Sequence, residues 1–261
     1  MRLSMYQVDA FTDTLFHGNP AAIVPLEHWL PDETMQNIAA ENNLSETAFF
    51  VPKETDYELR WFTPGGEVSL CGHATLATAF VIFHHLEPKR SNITFFTKGG
   101  ILMVFREGDL LTMLFPPKET MRIPHPELLV QGLGKRPIEV QKGYNYLAVY
   151  ETEEEIFALR PDFDILRKLD AHGVIVTARG RKVDFVSRYF APKLGVNEDP
   201  VTGSAHCSLV PYWSKIMGKT EFTAYQLSFR GGKIICSNLG ERIKLTGEAV
   251  LYSEGTIYIP D

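Results

Sequence analysis

Two stretches of this chain read alike. Arg60-Trp61-Phe62-Thr63-Pro64 and Arg188-Tyr189-Phe190-Ala191-Pro192 both run arginine, aromatic, phenylalanine, small residue, proline. The first leads to Cys71-Gly72-His73-Ala74-Thr75, the second to Glu198-Asp199-Pro200-Val201-Thr202-Gly203-Ser204-Ala205-His206. The two arginines stand 128 positions apart in a chain of 261 residues. Self-similarity at half-length describes two lobes of one design. In each, a strand is stopped by proline, a loop follows, and a glycine opens an apolar run.

The spacing predicts a helix over 73–85, carrying Leu76, Ala77, Phe80, Val81 and Phe83, and another over 204–217, carrying Leu209, Val210, Trp213 and Met217. A helix that is apolar nearly all round is a buried one. The expected class is therefore α+β: two pseudo-symmetric lobes, each a curled, mainly antiparallel sheet around one central helix. Pro116-Pro117 marks the boundary, giving lobes over 1–117 and 118–261, with the last strand, near 249–261, able to return to the first lobe.

A helix start has unpaired N–H groups and about half a positive charge. Two starts facing one cleft would offset about one negative charge, which suits a small carboxylate or an anionic intermediate. Two ordinary buried helices capped by glycine are the other reading of the same residues.

Composition narrows the partners. The formal charge of −6 and the lack of a basic cluster exclude a nucleic-acid partner. The longest mostly apolar run, 74–83, is far short of the ~20 residues of a spanning helix. Met1 to Asp9 contains no signal-peptide apolar region. No membrane partner and a cytoplasmic address are expected. Cys71, Cys207 and Cys236 cannot all pair and show no C-x-x-C spacing, so no disulfide framework is expected. No metal signature, no G-x-G-x-x-G, no Walker A sequence and no G-x-S-x-G elbow is present. What remains is proton chemistry by side chains, with no cofactor and no metal.

Glu46 stands just before the apolar strand run Ala48-Phe49-Phe50-Val51. It is either a rim carboxylate or a partly buried general acid/base, since burial raises a carboxyl pKa toward neutrality. His73 falls in the first turn of a helix, where the dipole disfavours its charged form. Asp199 and Glu198 compete for one role and the residues alone do not rank them. Ser204 is a common helix-start residue that also suits an anion site. Glu151–Glu155 reads as a solvated acidic edge, and Tyr225–Arg230 as a strand before a Gly231-Gly232 turn.

These blocks resemble the phenazine-biosynthesis-type (PhzF-like) isomerase family. The likeness rests on Gly18-Asn19-Pro20-Ala21-Ala22, on Asn43-Leu44-Ser45-Glu46-Thr47-Ala48-Phe49, and on Phe62-Thr63-Pro64 with Glu67-Val68 and 70–75. It continues through Arg188–Pro192, Glu198–Ala205 and Gln226-Leu227-Ser228-Phe229-Arg230-Gly231-Gly232. It implies the diaminopimelate-epimerase-like fold, Glu46 as acid/base, and His73, Asp199 and Ser204 around the substrate. Asn19, Gly72 and Gly203 resemble further cleft positions, and family members are often cofactor-free homodimers. Cys71 resembles the first of the two cysteines of the related epimerases, while Pro200 stands at the second position.

The function expected is an isomerase that moves a proton on a small unsaturated carboxylate-bearing metabolite. The alternatives are an epimerase or racemase pairing Glu46 with Asp199 or Cys71, and a non-catalytic small-molecule-binding protein.

Overall fold

The computed structural model describes residues 1–259. The chain is α+β, with strand dominating, and divides into two compact units: Met1–Leu114 with Thr246–Asp261, and Phe115–Leu245.

The first unit contains β1 (Arg2–Ala10), β2 (Asn19–Pro25), α1 (Asp32–Asn42), β3 (Glu46–Lys53), β4 (Asp56–Thr63), β5 (Gly66–Val68), α2 (Gly72–Val81), β6 (Asn92–Thr97), β7 (Gly100–Glu107) and β8 (Leu110–Phe115). β1 pairs antiparallel with β2, β2 runs parallel to β3, and β3 antiparallel to β4. β6, β7 and β8 form an antiparallel meander. Helix α2 packs against β1, β2 and β3 and is buried from His73 to Ala79. Its polar residues fit because Thr75 and Thr78 turn their hydroxyls back onto the carbonyls of Cys71 and Ala74, at 2.5 and 2.7 Å. The expected single helix over 73–85 is instead α2 followed by a π-helical turn, Ile82–Leu86. Outside the sheet, α1 lays Met35, Ile38 and Ala39 on Val24, Phe49 and Phe62. It stops at Asn43, whose φ of 49° ends the helix in the left-handed region.

The second unit contains β9 (Met121–Ile123), α3 (Glu127–Leu133), β10 (Glu139–Lys142), β11 (Tyr146–Val149), α4 (Glu153–Ala158), α5 (Phe163–Leu166), β12 (Val174–Arg179), β13 (Phe185–Ala191), β14 (Val196–Asp199), α6 (Gly203–Met217), β15 (Glu221–Gln226), β16 (Gly232–Asn238) and β17 (Ile243–Gly247). β13 is its centre, antiparallel to β12 and β14 and parallel to β15. Leu129, Ile156 and Leu166 from three short helices pack with Val176, Val186 and Phe190 of the sheet. The chain closes with β18 (Ala249–Tyr258), paired antiparallel along the whole of β1.

The acids at 151–155 lie at the surface as expected, and there Thr152 and Glu155 form a capping box that starts α4 with three glutamates in its first turn. One local expectation is corrected. The strand expected over 225–230 ends at Gln226, because the Ser228 hydroxyl takes the Gly231 N–H and turns the chain, leaving Phe229 fully exposed.

Helix α6 holds Pro211 inside its span. Proline has no N–H for the carbonyl four residues earlier. That carbonyl, on Cys207, accepts instead from the Lys118 backbone N–H at 2.9 Å. One turn earlier lies His206, fully buried, its Nδ1–H donating to the Thr202 carbonyl at 2.9 Å. Burial pushes the His206 imidazole down to about 4.

The repeated arginines do the same work in both units. Arg60 grips Glu67 on β5 through Nε and Nη2 at 2.7 and 2.9 Å. Arg188 grips Glu198 on β14 through the same atoms at 2.7 and 2.9 Å. Each fork clips a strand to the short strand that leads toward a buried helix. The remaining nitrogen of Arg188 donates to the carbonyls of Ile156 and Leu159. Arg188→Met should therefore lower stability by about 3 kcal/mol, because Glu198 is left partly buried without its cation. Glu198→Gln should cost about as much, roughly 3 kcal/mol, since Arg188, the more buried partner, keeps its charge without a counter-charge. Urea unfolding at pH 7 measures both.

His206 gives a pH prediction. Its folded pKa is depressed, so the unfolded chain takes up a proton first as pH falls below 6.5, and stability drops on acidification. Between pH 6 and 5 this histidine should remove about 1 kcal/mol. In His206→Gln that part of the loss should vanish, measured as the change in urea midpoint between the two pH values.

Candidate active site

In the first unit, three elements meet around one imidazole. Gly18 turns the chain into β2 at φ 66°, where a Cβ would lie 2.3 Å from the Ala10 carbonyl. Asn19 follows, fully buried and opposite Ala10 on β1. Its Nδ2 lies 3.2 Å from Nδ1 of His73, in the first turn of α2. The ring is also hydrogen-bonded to the Pro20 backbone, which has only a carbonyl to offer. The other ring nitrogen is Nε2. That nitrogen lies 3.2 Å from Oε2 of Glu46, the first residue of β3. The distance is that of contact, but the alignment falls short of a good hydrogen bond.

The Glu46 side chain is 17% exposed and that of His73 only 7%. Burial drives the His73 imidazole down to about 3, offset in part by the Pro20 backbone. The ring is therefore neutral at physiological pH, and the Glu46 contact is polar rather than an ion pair. Cys71, at the N-cap position of α2, is buried with Sγ 3.5 Å from His73 Nδ1. One donor atom each from Glu46, Cys71 and His73 lie within 4.8 Å of one another, a set that a cation such as zinc could draw on. The close contacts, however, run to opposite nitrogens of the ring. That layout handles a proton more readily than it chelates. Gly72 begins α2 between Cys71 and His73.

In the second unit, Asp199 closes β14 opposite Tyr189. Its charge adds to burial in pushing the Tyr189 hydroxyl pKa up. Three residues on, Thr202 is the N-cap of α6, and its hydroxyl donates to Asp199 Oδ2. Gly203 opens the helix; an added Cβ would meet Leu245 at an ordinary 3.6 Å, so packing does not demand glycine there. Ser204 is half-buried in the first turn. Glu198 is held by Arg188, which leaves Asp199 as the carboxylate at this helix start. Cys207 lies inside α6, where burial raises its thiol to about 12 and makes it inert. None of the three cysteines forms a disulfide.

The structure thus gathers Asn19, Glu46, Cys71, Gly72 and His73 in one unit, and Asp199, Gly203 and Ser204 in the other. Two residues at the second cluster were not singled out from the sequence, Thr202 and Gln226. Thr202 could have been found as a β-branched hydroxyl at an N-cap position. Gln226 carries no local signal beyond a polar residue at a strand end. Among the described residues, no helix is long and apolar enough to cross a membrane.

Known proteins share this sequence and fold. The family pattern described as phenazine biosynthesis-like protein matches residues 8–255. An uncharacterized isomerase of Pseudomonas aeruginosa is 52% identical over 259 residues, covering 99% of this chain and 100% of its own. The crystal structure of a PhzF-family protein from Enterococcus faecalis superposes with a TM-score of 0.97 at 46% identity, covering 99% of this chain and 100% of that one. A hydroxyproline epimerase from Agrobacterium vitis shares the fold alone, with a TM-score of 0.63 at 9% identity over 100% and 93% of the two chains. With the fold, the repeated helix starts and these matches in agreement, the chain belongs to the phenazine biosynthesis-like protein family and is an isomerase.

Proposed function

We propose that this isomerase relocates a proton on a small, unsaturated, carboxylate-bearing metabolite, with Glu46 as the general acid/base. The observation that carries the reading is the half-sheltered Glu46 carboxylate in contact with a neutral, Asn19-held His73. Glu46 takes a proton from carbon beside the unsaturated system, and the electron pair spreads into that system. The protonated Glu46 then returns the proton to another carbon, so that no electrons are gained or lost overall. A neutral imidazole serves this better than a charged one, since it can steady Glu46 in both protonation states.

In this proposal Asp199, Gly203 and Ser204 act on the same substrate as Glu46. What supports it is the shared ending of the two units: strand, Arg–Glu fork, loop, and a buried helix led by glycine. The helix starts supply N–H donors and partial positive charge to the carboxylate. Orientation and electrostatics provide the rate beyond acid/base work.

Epimerisation by Glu46 and Cys71 fits less well. Two bases on opposite faces of one carbon, each about 3 Å away, stand roughly 6 Å apart. The donor atoms of these two residues lie within 4.8 Å of each other, short of that separation.

Incubating the protein in D2O with fractionated bacterial metabolites, and reading mass gain by spectrometry, tests the reading. A carboxylate should gain deuterium with wild-type protein, and Glu46→Gln should slow this by about 10²–10⁴-fold while leaving ligand binding near normal. Deuterium uptake unchanged in Glu46→Gln would remove Glu46 from the mechanism. His73→Asn should slow the same exchange by a smaller factor, about tenfold or more, without shifting its product. A product of inverted chirality, lost in Cys71→Ser, would establish the epimerase instead.

A further inference from the structure

Gln226 is wholly buried at the end of β15, and each of its polar atoms is committed. Its Oε1 accepts from the Thr202 N–H at 2.9 Å. Its Nε2 donates to the Asp199 carbonyl at 2.8 Å and to Thr202 Oγ1 at 3.1 Å. The amide cannot be turned over. A backbone N–H can only donate and a carbonyl can only accept, so the opposite placement would set donor on donor and oxygen on oxygen.

The direction of the next bond follows. Because Thr202 Oγ1 receives a hydrogen from Gln226, its own proton is left for another acceptor. That acceptor is Asp199 Oδ2, with which it is in contact. Hydrogens therefore run one way, from the Gln226 amide to the Thr202 hydroxyl to the Asp199 carboxylate. The base of the arrangement is firm. Gln226 lies opposite Ser187 on β13, and Leu227 N–H donates to the Ser187 carbonyl at 2.7 Å. Ser228 Oγ donates to the Pro200 carbonyl at 2.8 Å. The following Gly231 has φ 67°, and a Cβ there would lie 2.4 Å from the Tyr225 hydroxyl, so the turn that presents Ser228 requires glycine. The loop from Asp199 to Thr202 is thus tied at two carbonyls and one N–H by a three-residue segment.

We propose that Gln226 is a positioning residue that, through Thr202, fixes the Asp199 carboxylate in place and keeps it a hydrogen-bond acceptor toward the substrate. The functional consequence rests on the reading above, that Asp199 meets the substrate; the direction of the hydrogen bonds does not. Asp199 acts on the ligand, and Gln226 acts only on Asp199.

The test needs no substrate. In the full-length, isotopically labelled protein, NMR reads the Asp199 carboxyl-carbon shift and the exchange rate of the Thr202 hydroxyl proton. Gln226→Glu removes both donors and offers Thr202 a competing acceptor. The hydroxyl proton should then exchange at least about tenfold faster and the Asp199 carboxyl signal should move. Thr202→Ser should keep the wild-type Asp199 signal, and Thr202→Val should reproduce the Gln226→Glu signal. Should Gln226→Glu fail to fold, the serine and valine variants carry the test by themselves. An Asp199 signal that is the same in wild type, Gln226→Glu and Thr202→Val, or one that Thr202→Ser fails to preserve, overturns the proposal. Absence of Glu46-dependent deuterium uptake would defeat the functional reading and leave this result standing. Where uptake is found, Gln226→Glu should lower kcat more than it raises KM.

Discussion

The arginine–glutamate fork is the constraint on which each unit depends. A guanidinium in bidentate contact fixes distance and direction together, which a lysine could not do. In both units it joins the strand that closes on proline to the strand that leads toward the helix, so that the glycine start of α2 or α6 follows from a clamped segment. Both partners are largely sheltered, and the desolvation of such a pair consumes much of its attraction. Its worth is therefore geometric more than energetic. The same fork tells two adjacent acids apart: Glu198 is held by Arg188, and Asp199 accepts from the Thr202 hydroxyl.

Burial then decides the chemistry of the histidine. A solvent-exposed imidazole near a carboxylate would titrate in the physiological range and pair with it as a cation. His73 is shut away by α2 and the strands packed on it, and the cost of charging it there keeps the ring neutral. A neutral imidazole beside the carboxylate results, with Asn19 against its other nitrogen. The second cluster uses a related device, an amide that sets the direction of a hydroxyl. In both places a side-chain amide, which has no charge to lose, holds a titratable group or the hydroxyl beside it.

Much of the fold could be read from the chain because its strongest signals are local. The paired Arg-aromatic-Phe-x-Pro blocks, the glycines at 72 and 203, and the apolar runs after them need no long-range information. The misreadings have local causes too. Tyr225, Leu227 and Phe229 alternate like a strand, yet a single serine hydroxyl turns the backbone at 228. The glutamates at 153–155 do lie at the surface, and only Thr152 shows that they also start a helix. Resemblance named the candidate site residues one by one, but not the contacts each side chain makes. Asn19 and His73 are 54 positions apart, and Gln226 stands 24 from Thr202. Such pairings arise only when strands are laid side by side, and a polar residue at a strand end gives no sign of the partner it will meet.

The proline within α6 carries a wider implication. By withholding one N–H it turns an interior helix carbonyl into a docking point for the peptide at Lys118. An alanine at 211, which elsewhere would favour a helix, would bring a second backbone hydrogen to the oxygen that Lys118 now has from outside the helix. A residue usually classed as a helix breaker is here what joins the helix to the chain that enters its unit.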